Sequence, residues 1–490
     1  MKEQSKFSKV LSILLSVVLL ISSFYLLYQV IRLNVLPTKF LFPLTIGVVV
    51  LDVIFILLLV YFSKNVVSKI ICIVLTLFIC VASCMGGYYI SKTQNVLSSI
   101  TNVAKHAKNT VSVIVKESSS IKNKSQLNGV SVGSLRLNGQ GSKKALKELS
   151  NEGIVLNQTE YDSMTTLLEA FYNGEVDSII INESSRSQIL DMEAYSNFDS
   201  NTRVVYQTSY KVKNNDSVSD ITSKPFNVLI SGSDTRGGFD ENGRSDVIMI
   251  ATVNPKTHTI LLTSVPRDFY VTTACDAGDG CMQGALDKIT HTGIHGTNTT
   301  KRTVEQLLGI EINYTFKVGF DTVTELVDVL GGVDVYVEPG YATTNSLYSV
   351  HEGINHLNAE QALAFARDRY SYTEGDRQRT KNQQQVLMGI VKEATKPSVI
   401  TNYAAIMDTM ANTFSTTMSN EEITDLIKYQ LNNNPTWKME QYMVDGTGDT
   451  LMCAELGDAA SVMVPDQSTV KMAKDKINAV LAGKSSEDVK

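Results

Sequence analysis

Three long apolar runs near the beginning of the chain restrict its fold more than any other feature of the sequence. Val10–Ile31 and Ile70–Ile90 contain no charged residue, and Phe40–Phe62 contains one, Asp52. Each run has 21 to 23 residues, and a helix needs about 20 apolar residues to cross a hydrocarbon core of about 30 Å. A cleaved signal peptide would explain only the first run. The sequence therefore predicts a three-helix membrane anchor over residues 1–90.

The basic residues around these runs indicate their orientation. Three lysines precede the first run and two lie between the second and third, whereas the first loop holds one arginine and one lysine. Because positive residues favour the cytoplasmic side of a span, the N-terminus and the second loop are predicted to be cytoplasmic and residues 91–490 extracellular. The residues concerned are Lys2, Lys6 and Lys9, then Lys64 and Lys69, and in the first loop Arg32 and Lys39.

Asp52 lies in the middle of the second predicted span. An ionisable side chain is costly at that depth and often has a function. The alternative is a neutral carboxyl group that is hydrogen-bonded to a neighbouring helix, and this structural interpretation is the one we favour.

Overall charge and cysteine content exclude some classes of protein. The net charge of -6 and the isoelectric point near 5.7 argue against a globally basic nucleic-acid binder. Cys275 and Cys281 enclose a loop that is short enough to be closed by a disulfide, which an extracellular location would permit. No CxxC or Cys/His spacing of the zinc type occurs, so a structural zinc site is not expected.

The exterior divides into segments of different pattern. Residues 91–110 predict a helical stalk, and residues 111–215 alternate β-rich and helical runs, which predicts a small α/β accessory domain. Residues 216–224 are polar and predict a linker. Residues 225–490 predict the main domain, with its motifs in 225–395.

The main domain begins with three β-strand patterns separated by turn-forming segments, at Phe226–Ile230, Val247–Val253 and Thr259–Thr263. In an antiparallel meander, the end of the first strand, the start of the second and the end of the third lie at one edge of the sheet. Four charged residues occupy these positions and are predicted to cluster: Asp234, Arg244, Asp246 and Arg267. Helical patterns follow, so that we expect an α/β fold with helices packed on a mixed sheet.

A second charged segment contains four arginines and three acidic residues between Arg367 and Arg379. Arg367 and Arg369 are two residues apart, and in an extended segment they project from one face. Asp376, Arg379 and Gln383 have the spacing of one helix face. Guanidinium groups that converge from a strand end and a helix start suit a phosphate or pyrophosphate. A solvated run of charges is the alternative interpretation.

Two aspartates beside several arginines at one sheet edge indicate a divalent metal ion with a bound phosphate. Carboxylates suit Mg²⁺, with Mn²⁺ as an alternative, and arginines neutralise charge on a transferring phosphoryl group. Each aspartate taken alone has a simpler interpretation as a turn cap. His291 and His295 are interpreted as polar packing residues. No P-loop or His-Glu-x-x-His motif occurs, which disfavours NTPases and zinc proteases.

The motifs in this region resemble those of the LytR-CpsA-Psr family of cell-envelope proteins. The resemblance covers roughly residues 225–395, about a third of the chain, with the motifs in order at spacing similar to that of the family. The three spans and the accessory domain look most like a streptococcal capsule member. The motifs are Phe226–Ile230 with Gly232 and Asp234, Arg244-Ser245-Asp246, Ser264–Asp268, Gly331-Gly332-Val333, and Arg367-Asp368-Arg369 with Asp376, Arg379 and Gln383.

This resemblance implies an enzyme outside the cytoplasmic membrane and an α/β sandwich fold. Such proteins transfer a glycopolymer, here capsular polysaccharide or a related polymer, from a polyprenyl-pyrophosphate carrier to a peptidoglycan hydroxyl as a phosphodiester. The implied partners are the lipid-linked polysaccharide, peptidoglycan, the membrane and capsule-assembly proteins, but no nucleic acid. The lipid requires an apolar tunnel, for which the helix face Val323/Leu326/Val327/Leu330 is a candidate, although such a stripe is more often plain core.

The resemblance also implies roles for individual residues. Asp234 and Asp246 would hold Mg²⁺. Asp376, Arg267 and Arg369 would be catalytic, with Asp376 either orienting an arginine or accepting the hydroxyl proton. The residues implied to bind the pyrophosphate are Arg244, Arg267, Arg367, Arg369, Arg379 and Gln383.

Three other functions remain open from the sequence. A polyprenyl-pyrophosphate phosphatase would use water at the same site in place of the sugar hydroxyl. A regulator of capsule expression would have only residues 1–9 and about 63–69 in the cytoplasm. A scaffold for capsule assembly would give the accessory domain its role. A transfer assay with purified protein separates these functions.

Overall fold

The fold was analysed in a computed structural model, which describes residues 6–62, 65–136, 139–213, 218–233, 242–275, 281–396, 406 and 414–489. The chain divides into two compact units. The first consists of residues 1–99, 397–408 and 419–435, and the second of residues 100–396, 409–418 and 436–490.

Three long helices dominate the first unit. They are α1 (Lys6–Leu33), α2 (Thr38–Leu57, continued by a π-turn over Leu58–Phe62) and α3 (Val66–Lys105). Their apolar parts, Lys9–Leu33, Thr38–Phe62 and Val66–Val96, are long and apolar enough to cross a membrane. The unit also contains the helix Asn420–Asn433.

Asp52 is buried in α2 and accepts a hydrogen bond of 2.8 Å from the hydroxyl of Ser23 on α1. The predicted hydrogen bond to a neighbouring helix is thus confirmed.

The accessory part of the second unit is built on one five-stranded sheet in the order β3-β2-β4-β1-β5. Strand β2 runs parallel to β3 and β4, whereas β1 runs antiparallel to β4 and β5. Apolar cores lie on both faces of the sheet because the strands alternate their side chains between α5 on one face and α4 on the other. The elements are β1 (His106–Lys116), β2 (Ser131–Leu135), α4 (Gly139–Asn151), β3 (Asn157–Tyr161), α5 (Met164–Asn173), β4 (Ser178–Asn182), α6 (Arg186–Asp191), α7 (Phe198–Asn201) and β5 (Thr202–Lys213).

Helix α5 shows how the local sequence defines an element. Ser163 caps its N-terminus in a capping box with Thr166, and Gly174 ends it in the left-handed conformation at φ 81°. The side chains with helical spacing between these two signals are buried. The local sequence thus sets both ends of this helix.

A six-stranded sheet in the order β16-β11-β6-β7-β8-β17 forms the centre of the main domain. The pairs β6–β7 and β7–β8 are antiparallel, which confirms the predicted meander, and β11 and β17 add on either side as parallel strands. The sheet is mixed, as predicted. Its strands are β6 (Phe226–Ser233), β7 (Val247–Asn254), β8 (Thr259–Val265), β11 (Tyr314–Gly319), β16 (Phe414–Thr416) and β17 (Lys438–Met443).

Smaller strand pairs and helices complete this domain. The pairs are β9 (Tyr270–Thr272) with β10 (Leu286–Lys288), β12 (Val333–Val337) with β15 (Gly353–Leu357), β13 (Thr343–Thr344) with β14 (Ser349–Val350), and β18 (Gly446–Cys453) with β19 (Asp458–Pro465). The helices are α8 (Thr297–Leu308), α9 (Phe320–Leu330), α10 (Ala359–Arg367), α11 (Asp376–Ala394) and a C-terminal helix Gln467–Leu481, and a 3₁₀ segment covers Ile289–His295.

Two apolar cores hold these elements together. One lies between one face of the central sheet, α8 and the C-terminal helix, with Leu229, Ile250 and Leu261 at its centre. The other joins α9, α10 and α11 to β12 and β15. Because β-strands alternate their side chains, the second face of the sheet carries a different set of apolar residues, including Val228, Met249 and Leu262.

The structure corrects one sequence prediction about the arginine-rich segment. Arg367 is the last residue of α10 and does not belong to an extended segment. The helix ends there because Asp368 adopts an extended conformation at φ -73° and ψ 121°. The capping box at Asn358 and the buried Phe365 extend the helix through Arg367. Arg367 and Arg369 therefore do not project from one face of a strand.

Candidate functional site

The site lies at the sheet edge where β6 ends, β7 begins and β8 ends. The Asp246 backbone N–H donates to the carbonyl of Gly232 at 2.8 Å, which fixes this aspartate beside the end of β6. The Arg267 Nη1 donates to Asp246 Oδ1 at 2.8 Å. Both side chains are largely buried, with 26% of Arg267 and 13% of Asp246 exposed. The predicted clustering at this edge is confirmed for this pair.

Arg267 is held in its charged form by several carboxylates. Although burial opposes its charge, Asp246, Asp268 and Asp376 raise the pKa of its guanidinium group. Its Nε is buried and donates no hydrogen bond to any residue that the structure describes. This nitrogen lies 3.8 Å from Asp268 Oδ2, an ion-pair distance that is too long for a hydrogen bond.

Helix α11 supplies the second half of the site. It begins abruptly at Asp376 because Gly375 has φ 55° and ψ -113°, a conformation that favours glycine. Asp376 forms an ion pair with Arg379 one turn later, as their spacing predicts. Burial, together with the positive charges of Arg267 and Arg369, lowers the pKa of Arg379, while Asp376 and Asp246 oppose this change.

These mutual effects show which predicted residues lie together. Arg267 interacts with Asp246 and Asp376, and Arg379 interacts with both aspartates and with Arg369. Like Arg267, Arg379 has a buried Nε that donates to no described residue. Two ion pairs, Arg267 with Asp246 at the sheet edge and Arg379 with Asp376 at the start of α11, thus act on each other's charge.

The remaining predicted residues occupy different positions. Arg369 is exposed and stacks on Tyr370, with its guanidinium carbon 4.7 Å from the ring centroid. Arg367 is exposed at the end of α10, and Arg244 is partly buried just before β7. Gln383 is partly buried on α11. The structure fixes their elements, whereas their predicted contacts with a substrate remain predictions.

The predicted metal site can be described only in part. Asp234 lies outside the described residues, and among those that are described no group of three His, Cys, Asp or Glu side chains has the arrangement of a metal site. One carboxylate oxygen of Asp246, Oδ1, accepts hydrogen bonds from Arg267 and from Thr290. A carboxylate of this kind fits Mg²⁺, which is commonly held by one or two carboxylates together with substrate phosphate oxygens and waters.

Asp368, between the two arginines of the motif, has a structural role. Its Oδ1 accepts hydrogen bonds from the backbone N–H groups of Tyr370 and Ser371, and its Oδ2 accepts one from the Tyr348 hydroxyl at 2.6 Å. Burial would raise the pKa of Asp368, but these bonds lower it overall. The carboxylate therefore organises the loop that carries Arg369.

The sequence did not reveal the residues that form hydrogen bonds with Asp246 and with the preceding Ser245. Thr290 Oγ1 lies 3.5 Å from Asp246 Oδ1, and the Thr290 carbonyl accepts a hydrogen bond from the Ser245 N–H. The buried Ser245 hydroxyl contacts Ser231 at 2.9 Å and Thr300 at 3.1 Å. Threonine and serine are too common for such a network to be visible in the sequence.

His291 and His295 are buried next to the site, and each lies within hydrogen-bond distance of a carboxylate. His291 Nδ1 lies 2.7 Å from Asp287 Oδ1, and His295 Nε2 lies 2.8 Å from Glu455 Oε2. Their interpretation as polar packing residues agrees with this burial. Cys275 and Cys281 are joined by a disulfide, in agreement with the length of their loop.

The helix face proposed for a lipid tunnel contributes to the core. Val327 is fully buried in the core of α9, α10 and α11, and Val323 packs against it. The simpler interpretation of this stripe as core therefore holds for these two residues. On the second face of the central sheet, the apolar residues Ile230, Phe316 and Val318 are partly buried.

Comparisons with known proteins identify relatives of the chain. The model of the LytR_cpsA_psr family matches residues 192–479. The chain is 32% identical over 237 residues to the polyisoprenyl-teichoic acid–peptidoglycan teichoic acid transferase TagU of Bacillus cereus (strain AH820), covering 48% of this chain and 75% of TagU. It is 34% identical over 224 residues to TagU of Bacillus subtilis (strain 168), covering 45% of this chain and 70% of TagU.

Solved structures of similar proteins were also found. The crystal structure of B. subtilis TagU matches with a TM-score of 0.41 and 29% sequence identity, covering 53% of this chain and 97% of TagU. The protein gbs0355 from Streptococcus agalactiae matches with a TM-score of 0.45 and 25% identity, covering 54% of this chain and 89% of that protein.

Proposed function

Because the chain belongs to the LytR-CpsA-Psr family, we propose that it is a membrane-anchored phosphotransferase that moves a glycopolymer from a polyprenyl-pyrophosphate carrier to peptidoglycan. One observation carries the proposal: the ion pairs Arg267–Asp246 and Arg379–Asp376 lie at the sheet edge and at the start of α11, and the charges of the two pairs act on each other. Such an array suits an anion with several oxygens, and a pyrophosphate has that form.

The proposed reaction is a substitution at phosphorus. The oxygen of a peptidoglycan hydroxyl forms a bond to the phosphorus that carries the glycan, and the bond from this phosphorus to the bridging oxygen breaks. The products are a phosphodiester between glycan and peptidoglycan, and polyprenyl phosphate. Asp376 is the candidate acceptor for the hydroxyl proton, and Arg267 and Arg379 stabilise the negative charge on the phosphoryl oxygens.

Mg²⁺ belongs to this proposal as a cofactor, with Mn²⁺ as an alternative. Asp246 would hold it, together with Asp234 and the oxygens of the pyrophosphate. A bound Mg²⁺ would supply charge neutralisation and orientation of the phosphates. In this proposal, Arg267 and Arg379 bind the pyrophosphate through their guanidinium groups.

The lipid part of the donor needs an apolar surface. The second face of the central sheet offers one, since it combines buried apolar residues with Ile230, Phe316 and Val318, which are partly exposed. Burying apolar surface stabilises binding by about 25 cal/mol per Å². A polyprenyl chain bound there would leave its pyrophosphate near the sheet edge that carries Asp246.

The three apolar helices support a membrane anchor, and we propose the orientation with the N-terminus inside and the large C-terminal part outside. The disulfide between Cys275 and Cys281 fits an oxidising exterior. Alkaline phosphatase fused after Lys490 should be active in cells, whereas a fusion after Phe62 should be inactive. The opposite pattern would contradict this topology.

We propose capsular polysaccharide as the polymer, with other wall glycopolymers as alternatives. The named relatives act on teichoic acid. The three-helix anchor and the accessory domain are the features that favour a capsule role. Donors that carry different polymers, compared with one peptidoglycan acceptor, identify the polymer.

The central test uses purified full-length protein with a lipid-linked donor, Mg²⁺ and a peptidoglycan acceptor. Arg267→Ala and Asp246→Asn should each lower kcat/KM by roughly 10²- to 10³-fold, since each removes a group that stabilises charge in the transition state. The control Arg136→Ala removes an exposed arginine that pairs with Glu160 and Asp162 in the accessory domain. It should leave transfer unchanged.

Two results would separate this proposal from its alternatives. Release of polyprenyl phosphate at an equal rate without acceptor would favour the phosphatase. Wild-type activity in Arg267→Ala and Asp246→Asn, with both variants folded, would contradict the assignment of the site.

A further inference from the structure

The hairpin of β13 and β14 contacts the loop that carries Arg369, although it contains none of the predicted site residues. Its turn covers residues 345–348. The Asn345 Oδ1 accepts hydrogen bonds from the backbone N–H groups of Leu347 at 2.8 Å and Tyr348 at 3.0 Å. The Asn345 N–H donates to the Tyr348 carbonyl at 3.0 Å. These bonds hold the turn in one conformation, so that Asn345 and Tyr348 have defined positions.

Both of these side chains bind the carboxylate of Asp368. Its Oδ2 accepts hydrogen bonds from the Tyr348 hydroxyl at 2.6 Å and from Asn345 Nδ2 at 3.0 Å. Its Oδ1 accepts from the backbone N–H groups of the two residues that follow Arg369. One oxygen of the carboxylate is therefore bound by the hairpin and the other by the loop. The hairpin thus fixes the orientation of the group around which the loop of Arg369 is built.

Tyr348 is itself fixed by packing. Its side chain is buried, with 4% exposed, and its ring packs edge-on against Phe365 of α10 with 5.6 Å between the centroids. Its hydroxyl also lies 3.3 Å from the hydroxyl of Tyr372, in the same loop as Arg369. Removal of a buried hydroxyl is costly because the groups that it bonded are left without that partner.

The loop places Arg369 beside the arginine site. The Arg369 carbonyl oxygen lies 3.8 Å from the position of a Cβ built on Gly375, the residue before Asp376. The guanidinium charge of Arg369 also acts on Arg379 and lowers its pKa. Because the Arg369 side chain is exposed, the position of its guanidinium group depends strongly on the backbone from which it extends.

We propose that Asn345 and Tyr348 are positioning residues, which hold Asp368 so that Arg369 is directed at the phosphates of the donor. This inference rests on the proposed function, in which those phosphates bind at the arginine site. A guanidinium group bonds phosphate oxygens only within narrow limits of distance and angle, so a displaced backbone weakens the contact. Asn345 and Tyr348 therefore act through Arg369 and do not touch the donor.

The first experiment measures the Kd of inorganic pyrophosphate with Mg²⁺ by calorimetry, using full-length protein in nanodiscs. Tyr348→Phe removes only the hydroxyl, and the Kd should rise roughly 3- to 10-fold. Arg369→Ala should raise it by about 10-fold or more. Adding Tyr348→Phe to Arg369→Ala should change nothing further, because the hydroxyl acts through the arginine. A role in folding alone would instead weaken binding by the same factor in both backgrounds.

Tyr206→Phe is the matched control. The Tyr206 hydroxyl also donates to a carboxylate, that of Glu148 at 2.8 Å, but in the accessory part. The variant therefore loses the same kind of hydrogen bond away from the site, and it should bind pyrophosphate like the wild type.

An exchange of donor and acceptor provides a second pair of variants. Asn345→Asp places a carboxylate against that of Asp368, and we expect it to weaken pyrophosphate binding more than Tyr348→Phe does, because like charges repel. Asn345→Asp combined with Asp368→Asn restores a hydrogen bond between the two side chains with its direction reversed. The double variant should recover most of the affinity that Asn345→Asp loses. This pair also carries the test if Tyr348→Phe does not fold.

Transfer kinetics test the consequence for the reaction. Tyr348→Phe should raise the KM for the lipid-linked donor and leave the KM for peptidoglycan unchanged. If the wild type binds pyrophosphate and shows the expected dependence on Arg369 but transfers nothing, the proposed function fails and this inference stands.

Three results would overturn the inference. The first is a wild type that does not bind pyrophosphate or binds it equally well as Arg369→Ala. The second is an unchanged Kd in folded Tyr348→Phe. The third is an equal loss from Tyr348→Phe with and without Arg369, which would assign the hairpin to the stability of the fold alone.

Discussion

The ion pair between Arg267 and Asp246 shows how single residues set the properties of this site. The arginine Nη1 and the aspartate Oδ1 are 2.8 Å apart in a largely buried position. A buried pair of this kind is strongly destabilised when one partner is removed alone, because the remaining charge stays desolvated. The pair therefore positions a guanidinium group whose Nε lies 3.8 Å from a second carboxylate, that of Asp268.

Gly293 limits the position of the segment that carries Asp246. A Cβ at Gly293 would come within 2.4 Å of the Gly243 carbonyl oxygen and 2.6 Å of the Ser245 nitrogen. We predict that Gly293→Ala shifts this backbone, lowers transfer at least 10-fold and destabilises the protein by about 1–3 kcal/mol. Transfer kinetics and urea unfolding of the full chain measure the two effects.

The matched control for this prediction is Gly448→Ala. No atom lies within 4 Å of a Cβ built at Gly448, so neither quantity should change beyond error. Normal transfer by Gly293→Ala would show that the segment before β7 tolerates displacement, which contradicts the role assigned to it.

At the scale of secondary structure, helix ends decide where the arginines lie. Apolar spacing and a capping box extend α10 through Arg367, and Gly375 starts α11 so that Asp376 is its first residue. Arg369 lies between the two helices, in a loop tied by Asp368. The charge pattern predicted an extended segment at Arg367, whereas the structure has this residue at the end of a helix.

Edge strand β17 is tied to the C-terminal segment by the buried Glu440. Its carboxylate accepts from Lys438 Nζ, from the Ser485 hydroxyl and from the Ser486 N–H, each at 2.8 Å. Burial alone would raise the pKa of Glu440, but these bonds lower it from 4.5 to about 2. The charged carboxylate is therefore favoured in the folded state.

This shift predicts a loss of stability in acid. A group whose pKa is lowered by folding contributes stability above its unfolded pKa, here 4.5, and that contribution disappears as the pH falls through about 2. We expect the wild type to lose on the order of 2 kcal/mol between pH 5 and pH 2 that Glu440→Gln does not lose. Urea unfolding followed by the fluorescence of Trp437, the only tryptophan, measures this difference.

The expected pattern is specific to this residue. Glu440→Gln should be less stable than the wild type at pH 7, and the gap should close towards pH 2. Glu325→Gln, an exposed position on α9, serves as the control. A gap for Glu440→Gln that is equal at pH 7 and pH 2 would contradict the assigned hydrogen bonds.

At the scale of the whole molecule, the accessory part of the second unit is docked on the segment that supports the site. The Ser184 hydroxyl donates to the Ile294 carbonyl at 2.7 Å. At the β18–β19 turn, the Leu456 carbonyl accepts from the Thr165 hydroxyl at 2.7 Å. Ile294 belongs to the 3₁₀ segment that also carries Thr290, the neighbour of Asp246.

These contacts predict that the accessory part influences catalysis. The double variant Ser184→Ala/Thr165→Val removes two hydroxyl donors between the accessory part and the main domain, and each lost hydrogen bond costs about 1 kcal/mol. The Leu456 carbonyl keeps the backbone N–H of Thr165 as a donor at 3.3 Å. We expect kcat to fall roughly 3- to 10-fold, because the segment that carries Thr290 would hold Asp246 less rigidly. The KM for the donor should change less. Steady-state transfer kinetics test this expectation.

Ser200→Ala is the control for the double variant. Its hydroxyl donates within the accessory part, to the Asn197 carbonyl, so transfer should remain normal. Unchanged kcat in the double variant would show that the accessory part acts only as a spacer.

The sequence by itself determined the three apolar spans, the meander of β6, β7 and β8, and the residue types at its edge. These features depend on periodicity and on the length of apolar runs. Both can be read from residues that are close together in the chain. Only the tertiary structure decided which groups meet. Arg267 reaches Asp246 across 21 residues, and Ser184 reaches Ile294 across 110. Such contacts depend on the packing of whole elements, and serine, threonine and glutamine side chains carry no periodic signal that would reveal them.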